Sequence, residues 1–389
     1  MELRTAGLTL ACREGRAKRW IGAFWVTALC SLASLPLPAA SQGVWHLSPR
    51  PNLTLGEASD PAHLVFHGVT GALLLDDGSV AVADGGSREI RMLSDDGSLL
   101  RRFGRQGDGP GEFRILAWIA RCGASGITSL DGATGRITRW TVEGEPRESL
   151  RLQGLSEGPP PYSARCGPNG RFAVMGWPRI GDYEGGQGPY RLEAAVGVLS
   201  PTGELLQEVG TFPGPERYRY SASDGPRPLG RRTLVHMGTD GVYVGTGDRY
   251  EIEVIGADGS RRRFGRPDSL VPMTADLVRV WHDSVVASVP EARRAAARRG
   301  LLQHEHPGTL PPYSDLGIDE QGFVWITRFG VPGERSTTLD VFSRVGDLVA
   351  TLKVNHPFRL TDVGDDYILG VGTDDLGIER VYRYRLTRG

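Results

Sequence analysis

Five polar side chains fall at positions where a purely structural strand would be apolar. The chain contains six repeated segments, each with a recognisable first turn. Arg121, Arg165 and His236 stand five residues before that turn, in the place held by Leu73, Gly317 and Thr361 in the other segments. Asp315 and Arg359 stand seven before it, in the place of Gly71, Ile119, Ser163 and Leu234. If the segments are arranged in a ring, Arg121, Arg165, His236, Asp315 and Arg359 converge at the mouth of a central channel. The planar fork of arginine matches carboxylate and phosphate oxygens in pairs, so the cluster is read as a ligand site for a small anion. The plainer reading is mutual salt bridging between Asp315 and the arginines, with a hydrogen-bonded core histidine.

Cys122 and Cys166 follow two of these arginines directly, in Arg121-Cys-Gly and Arg165-Cys-Gly, each four residues before its first-turn glycine. They hold the same place on neighbouring inner strands, so a disulfide forms if their Cα atoms come within about 7 Å. The alternative is two small buried thiols. No Cys-x-x-Cys or paired histidine accompanies them, so no zinc site is expected.

Other groupings are set aside on chemistry. Gly107-Asp-Gly-Pro-Gly111 lacks the lysine and hydroxyl end of a phosphate loop, and Pro110 removes a donor. The pairs Asp76-Asp77 and Asp95-Asp96 lie on turns, where aspartate bonds its own backbone. His304-Glu305-His306 alternates outward on a loop, and His63/His67 would converge only on a helix. No metal site or cofactor is therefore expected. Nothing has the Gly-x-Ser-x-Gly form of a nucleophile elbow, and no basic stripe interleaved with aromatics suits single-stranded nucleic acid.

The elements that must position the cluster are short strands joined by tight turns. Leu73 to Asp84 reads as strand, Asp-Gly turn, strand, and Arg88 to Gly104 repeats the pattern. Asp-Gly between alternating apolar positions is a strong hairpin signal, attributed here to positive φ at the turn. One unit is a four-stranded meander of about 40 residues, the size of a propeller blade. Paired turns recur near Gly126 and Gly144, Gly170 and Gly203, Gly241 and Gly259, and Gly322 and Gly346. A sixth unit turns at Gly364-Asp-Asp-Tyr367, runs to Leu386 and lacks an outer strand. Val44 to Gly56 is the candidate replacement, a strand from the start of the mature chain that closes the ring. Residues 271–303 depart from the repeat. Leu277, Val278, Val280, Trp281 and Val285 give an apolar helical side, Ser288-Val-Pro-Glu291 reads as a capping box, and Gly300 as a stop. This is a helical insertion between blades four and five, whose four arginines, Arg293, Arg294, Arg298 and Arg299, read as a solvated face.

Gly104-Arg-Gln-Gly-Asp-Gly-Pro-Gly-Glu-Phe113, after Ala83-Asp84 and the strand Ile90 to Leu93, resembles the NHL-repeat family and related bacterial six-bladed β-propellers. The resemblance is sharp over residues 71–113, fair in blades two, four and five, and weak in blades three and six. It implies an all-β, six-bladed propeller of four-stranded antiparallel blades over residues 42–389. It does not imply one function, because the family spans binding scaffolds and lyases. Related propellers often hold a central divalent metal, for which His236 and Asp315 would be the ligands here.

Arg13, Arg16, Lys18 and Arg19 precede an apolar run from Trp20 to Leu37 and the small-residue exit Pro38 to Gln42. This reads as a signal peptide over residues 1–41, so the protein is expected to be exported, periplasmic or extracellular. An uncleaved membrane anchor is the competing reading. The formal charge is −1 over 389 residues, which favours neither nucleic acid nor an anionic membrane. The 54 glycines and 26 prolines, without a collagen period, fit many tight turns. The expectation is an exported, monomeric binding or scaffold propeller for a small anionic ligand or a protein partner. The alternative is a propeller lyase or lactone hydrolase with a metal-assisted site at the channel mouth.

Overall fold

In the computed structural model, residues 44–56, 64–123, 125–178, 185–221, 223–267, 270–302, 305–374 and 377–389 are described. Residues 1–43, with the signal-peptide reading, lie outside them, as do His63 and His304. The described chain is mostly β. Strands β1 (His46–Leu47) and β2 (Leu53–Leu55) come first. The first four-stranded sheet is β3 (Val69–Leu74), β4 (Val80–Asp84), β5 (Glu89–Leu93) and β6 (Leu99–Phe103). The second is β7 (Leu116–Cys122), β8 (Ser125–Asp131), β9 (Arg136–Trp140) and β10 (Pro146–Arg151). The third opens with β11 (Ser163–Cys166) and β12 (Phe172–Met175), leaves for β13 (Gly188–Tyr190), and resumes with β14 (Glu193–Leu199) and β15 (Leu205–Pro213). β16 (Arg217–Arg219) and β17 (Asp224–Pro226) join β13 in a separate three-stranded sheet.

The next four-stranded sheet is β18 (Leu234–Met237), β19 (Val242–Gly245), β20 (Glu251–Ile255) and β21 (Arg261–Gly265). Helices α1 (Ala275–Ala287) and α2 (Glu291–Leu301) follow. Then come β22 (Tyr313–Ile318), β23 (Val324–Arg328), β24 (Thr337–Phe342) and β25 (Leu348–Val354), and last β26 (Phe358–Val363), β27 (Tyr367–Thr373) and β28 (Glu379–Thr387). β28 takes both N-terminal strands as antiparallel neighbours: Leu47 pairs with Leu386 and Leu53 with Arg383. The described residues thus form seven antiparallel sheets, one more than the six repeats. The extra one is the β13, β16, β17 sheet, whose three-residue strands are too short to show a period-2 pattern.

The turns explain the glycines. In the first, Gly78 has φ +82°, its amide bonds the Leu75 carbonyl at 2.9 Å, and the Leu75 amide bonds Ser79 at 2.8 Å. Asp77 does not take positive φ; its carboxylate accepts from the Ser79 amide at 2.9 Å. This turn is therefore a type I turn followed by a left-handed glycine, rather than a two-residue Asp-Gly turn. The same bond pair recurs at Gly97, Gly203 and Gly346.

Between consecutive sheets lie six apolar cores. Ile90 and Ala81 of the first sheet pack with Ile119 and Ile127 of the second. Ile137 meets Phe172 and Leu199 of the third. Val196 meets Val235 and Val242 on β18 and β19. Ile252 meets Leu316 and Ile326 on β22 and β23, and Leu339 meets Phe358 and Ile368 on β26 and β27. The last core joins Leu369 and Val381 back to Ala72 and Val80 of the first sheet. Burying one such side chain contributes roughly 1.5–3 kcal/mol. First strands of successive repeats lie side by side, β3 by β7, β7 by β11, β11 by β18, β18 by β22, and β26 by β3.

Polar pins fix the links. Asp84, fully buried, accepts from Gly86 N at 3.1 Å and Arg91 Nη2 at 2.8 Å. Asp131 does the same for the Ile115 and Ala133 amides. In the glycine-rich link the Glu112 carboxylate accepts from Gly109 N at 2.8 Å and sits where a Cβ on Gly107 would fall. Its own acid fills the place a phosphate would need. In the helical hairpin, Thr274 caps α1 through Leu277 N at 3.3 Å. The capping box expected at Ser288 does not form: its hydroxyl donates back to Val285 O at 2.8 Å, and Pro290 begins α2. α2 also runs through Gly300 to Leu301.

Candidate functional site

The first strands of the sheets enclose a cavity of about 540 Å³. Arg121, Arg165, His236, Asp315 and Arg359 all line it, with Leu73, Trp118, Ile119, Leu316 and Ile318 supplying apolar wall. β7 and β11 end side by side, and Cys122 and Cys166 are joined as a disulfide with Cα atoms 5.5 Å apart. The bond fixes the two strand ends that carry Arg121 and Arg165.

These two arginines have different surroundings. Arg121 reaches Asp362 through Nη1 at 3.1 Å and Nη2 at 3.2 Å, donates to Tyr367 Oη at 3.0 Å, and bonds the Leu74 carbonyl. Glu320 lies 3.8 Å away. Asp362 also accepts from the Leu74 amide at 2.9 Å and from Tyr367 Oη at 2.8 Å. Burial pushes the Asp362 carboxyl above the usual range, while Arg121 acts against it. Burial opposes the charge on Arg121, but Asp362 and Tyr367 outweigh it and hold the guanidinium charged. The group is closed: every charge in it has a partner.

Arg165 donates to the Ala164 carbonyl at 3.1 Å. Among the described residues no carboxylate oxygen lies within 4.0 Å of its guanidinium. Its charge acts on His236 and Arg359, and Asp315 lines the same cavity. His236, half-buried on β18, has its pKa lowered to about 4, first by burial and then by Arg165, against the favourable Nδ1 contact with Met237 O at 3.2 Å. Arg359 donates to Val69 O at 2.6 Å and Thr70 O at 3.2 Å. Burial lowers its pKa; Asp315 and Glu379 oppose the shift and Arg165 adds to it. Asp315 accepts from its neighbour Leu316 N at 3.0 Å and, among the described residues, has no cation within 4.0 Å. The indole Nε1 of Trp118 is buried with no partner among the described residues.

Sequence reasoning did not find Asp362, Tyr367 or Trp118. Asp362 was hidden by a break in strand parity: β26 shifts register between Leu360 and Asp362, so strict alternation counted from Arg359 does not give the side on which Asp362 falls. The other sequence groupings stay structural. Asp96 is drawn down to about 2 by Ser94 and the Ser98 amide, as a turn aspartate. Among the described residues no three His, Cys, Asp or Glu side chains gather in the manner of a metal site. His236 and Asp315 are two oxygen- or nitrogen-bearing groups beside Arg165 and Arg359, whose charge repels a cation.

No family model matches the sequence, and no curated protein is similar to it. Solved structures align over most of its length at low identity. Virginiamycin B lyase from Staphylococcus aureus is 12% identical, with 88% of this chain and 99% of that chain covered and a TM-score of 0.42. A member of the DUF4221 family from Bacteroides vulgatus is 9% identical, with 90% and 100% covered and a TM-score of 0.49. Regucalcin, a calcium-binding protein from Agrobacterium tumefaciens, is 12% identical, with 87% and 96% covered and a TM-score of 0.41. At these levels the likeness says nothing about what this chain binds.

Proposed function

We propose that the protein is an exported, six-bladed, NHL-like β-propeller that binds a small anionic ligand in its central cavity through Arg165 and Arg359. The observation that carries this reading is the Arg165 guanidinium, which lines the cavity and has, among the described residues, no carboxylate oxygen within 4.0 Å. A half-buried charge is costly unless something pairs with it. Arg165 disfavours the charged forms of His236 and Arg359, so the partner that would offset this cluster of positive charge is an anion. His236 stays neutral near pH 7 and offers a hydrogen bond without adding charge. The six repeats, and the six cores that lead from each sheet to the next and back to the first, support the closed ring. The β13, β16, β17 sheet is then an outgrowth of the third blade. Export is supported by the leader-like residues 1–41 and by the Cys122–Cys166 bond, which suits an oxidising compartment.

The metal-assisted lyase or lactone hydrolase reading has only His236 and Asp315 as ligands, set among arginines, and ranks second. Equilibrium titration with succinate, acetate and inorganic phosphate tests the preferred one. The parent is expected to bind one of these saturably, and Arg165→Ala to lose that binding. Unchanged binding in Arg165→Ala would remove the proposal.

A further inference from the structure

Outside the central cavity, one pair of side chains has the geometry of a ligand site. His282 lies in α1, and His306 lies on the segment that returns from α2 towards β22. Their Nε2 atoms are 3.2 Å apart, with ring centroids 5.1 Å apart and planes inclined at 54°. We propose that His282 and His306 form a two-imidazole site for a divalent transition ion of the zinc class.

The distance is the first argument. Two imidazole nitrogens bound to one tetrahedral zinc at about 2.0–2.1 Å stand about 3.3 Å apart. In the metal-free protein a single N–H···N bond holds the pair. Moving that proton to Nδ1 of the same ring frees both Nε2 lone pairs with no change of net charge, and a modest tilt of the rings then lets both reach one ion at about 2.0–2.1 Å. The second argument is orientation. Trp281 packs against both rings, tilted on His282 at 5.3 Å and edge-on to His306 at 5.4 Å. This packing restricts both rings and keeps the two Nε2 atoms close. The third is access: both histidines are half-buried, so solvent can complete the coordination shell. Imidazole selects zinc, copper and nickel over calcium or magnesium, which want oxygen.

The two segments are already paired at the start of the hairpin, where Met273 N donates to Gly308 O at 3.0 Å and Leu310 N to Val271 O at 2.9 Å. α1 and α2 beyond that point are largely exposed. The His306 segment is also tied to the chain between β17 and β18: Thr309 accepts from Arg231 Nη2 at 2.9 Å, and the Glu305 carbonyl accepts from Arg227 at 3.1 Å. Leu310, Pro311 and Pro312, just beyond, line a second cavity of about 650 Å³ with Arg266, Arg328 and Lys353. Metal at the pair would therefore staple the hairpin beside that cavity. The proposal does not rest on the anion reading, since no residue is shared.

The test is calorimetric titration of untagged, full-length protein with zinc chloride, alongside His282→Ala, His306→Ala and the remote His46→Ala. The parent and His46→Ala are expected to bind one equivalent. Each single variant of the pair should bind about tenfold more weakly or worse. An absence of saturable binding in the parent would overturn the site, as would equal affinity in His282→Ala. Tryptic cleavage at Arg293, Arg294, Arg298 and Arg299 reads the staple separately. Zinc should slow it in the parent and leave it unchanged in His282→Ala; an unchanged rate in zinc-saturated parent would refute the staple.

Discussion

Arg121 and Arg165 occupy the same place in two neighbouring repeats. Each is the residue before a cysteine, and the two cysteines are bonded to each other. Both side chains line one cavity. Yet Arg121 is bonded to Asp362, Tyr367 and a backbone carbonyl, while Arg165 bonds only the Ala164 carbonyl among the described residues and disfavours charge on His236 and Arg359. Equivalent positions in a repeat share a backbone, not an electrostatic environment. The difference comes from the facing strand: β26 brings a carboxylate to Arg121 and a guanidinium towards Arg165. Arg121 is therefore part of an ion pair, whereas Arg165 has, among the described residues, no carboxylate oxygen within 4.0 Å, which is the basis for proposing it as the ligand-binding group.

The largest effect expected from this contrast is on stability. Arg121→Ala strands Asp362 in a low-dielectric wall, and breaking a buried pair in this way costs about 3–5 kcal/mol. Urea unfolding measures it; a loss below about 1 kcal/mol would place Arg121 with Arg165. Next is the bond that aligns both. Cys122→Ser/Cys166→Ser should cost about 2–4 kcal/mol, for a sequence separation of 44 residues. It should also weaken anion binding, because the two strand ends are no longer held together; undiminished affinity would mean that Arg165 is placed without the bond.

A pH effect separates the two corners further. His236 is lowered in the folded state to about 4 from an ordinary 6.5. Between those values the unfolded chain takes up the proton and the folded chain does not. The His236 contribution is fully present above pH 6.5 and is lost as pH falls towards 4, a change on the order of 2–3 kcal/mol. His236→Gln should flatten that part of the stability profile; an unaltered slope would show that His236 is not the group responsible. The smallest loss is for Arg165→Ala, expected to cost no more than about 0.5 kcal/mol, or to raise stability because an unpaired half-buried charge is removed. A large loss there would mean that Arg165 has a structural partner after all.

Much of this arrangement could be read from residue order. Turn glycines at regular spacing marked the strands, and counting back from them found every arginine of the cavity. What spacing could not give was the pairing. Asp362 is 241 residues from Arg121, and a register shift in β26 moved it out of the alternating pattern. The β13, β16, β17 sheet was equally hidden, because its Gly-Pro-Tyr, Arg-Tyr-Arg and Asp-Gly-Pro strands carry no apolar alternation. His306 was considered with its sequence neighbours, whereas its partner, His282, lies one helix away.

The most direct test of the open guanidinium is the NMR titration of the His236 ring in the parent and in Arg165→Ala. The expected result is a pKa near 4 in the parent and a clearly higher one in the variant, because the unpaired cation that disfavours imidazolium has gone. The same pKa in both proteins would contradict it, since Arg165 would then already be neutralised or turned away from the cavity.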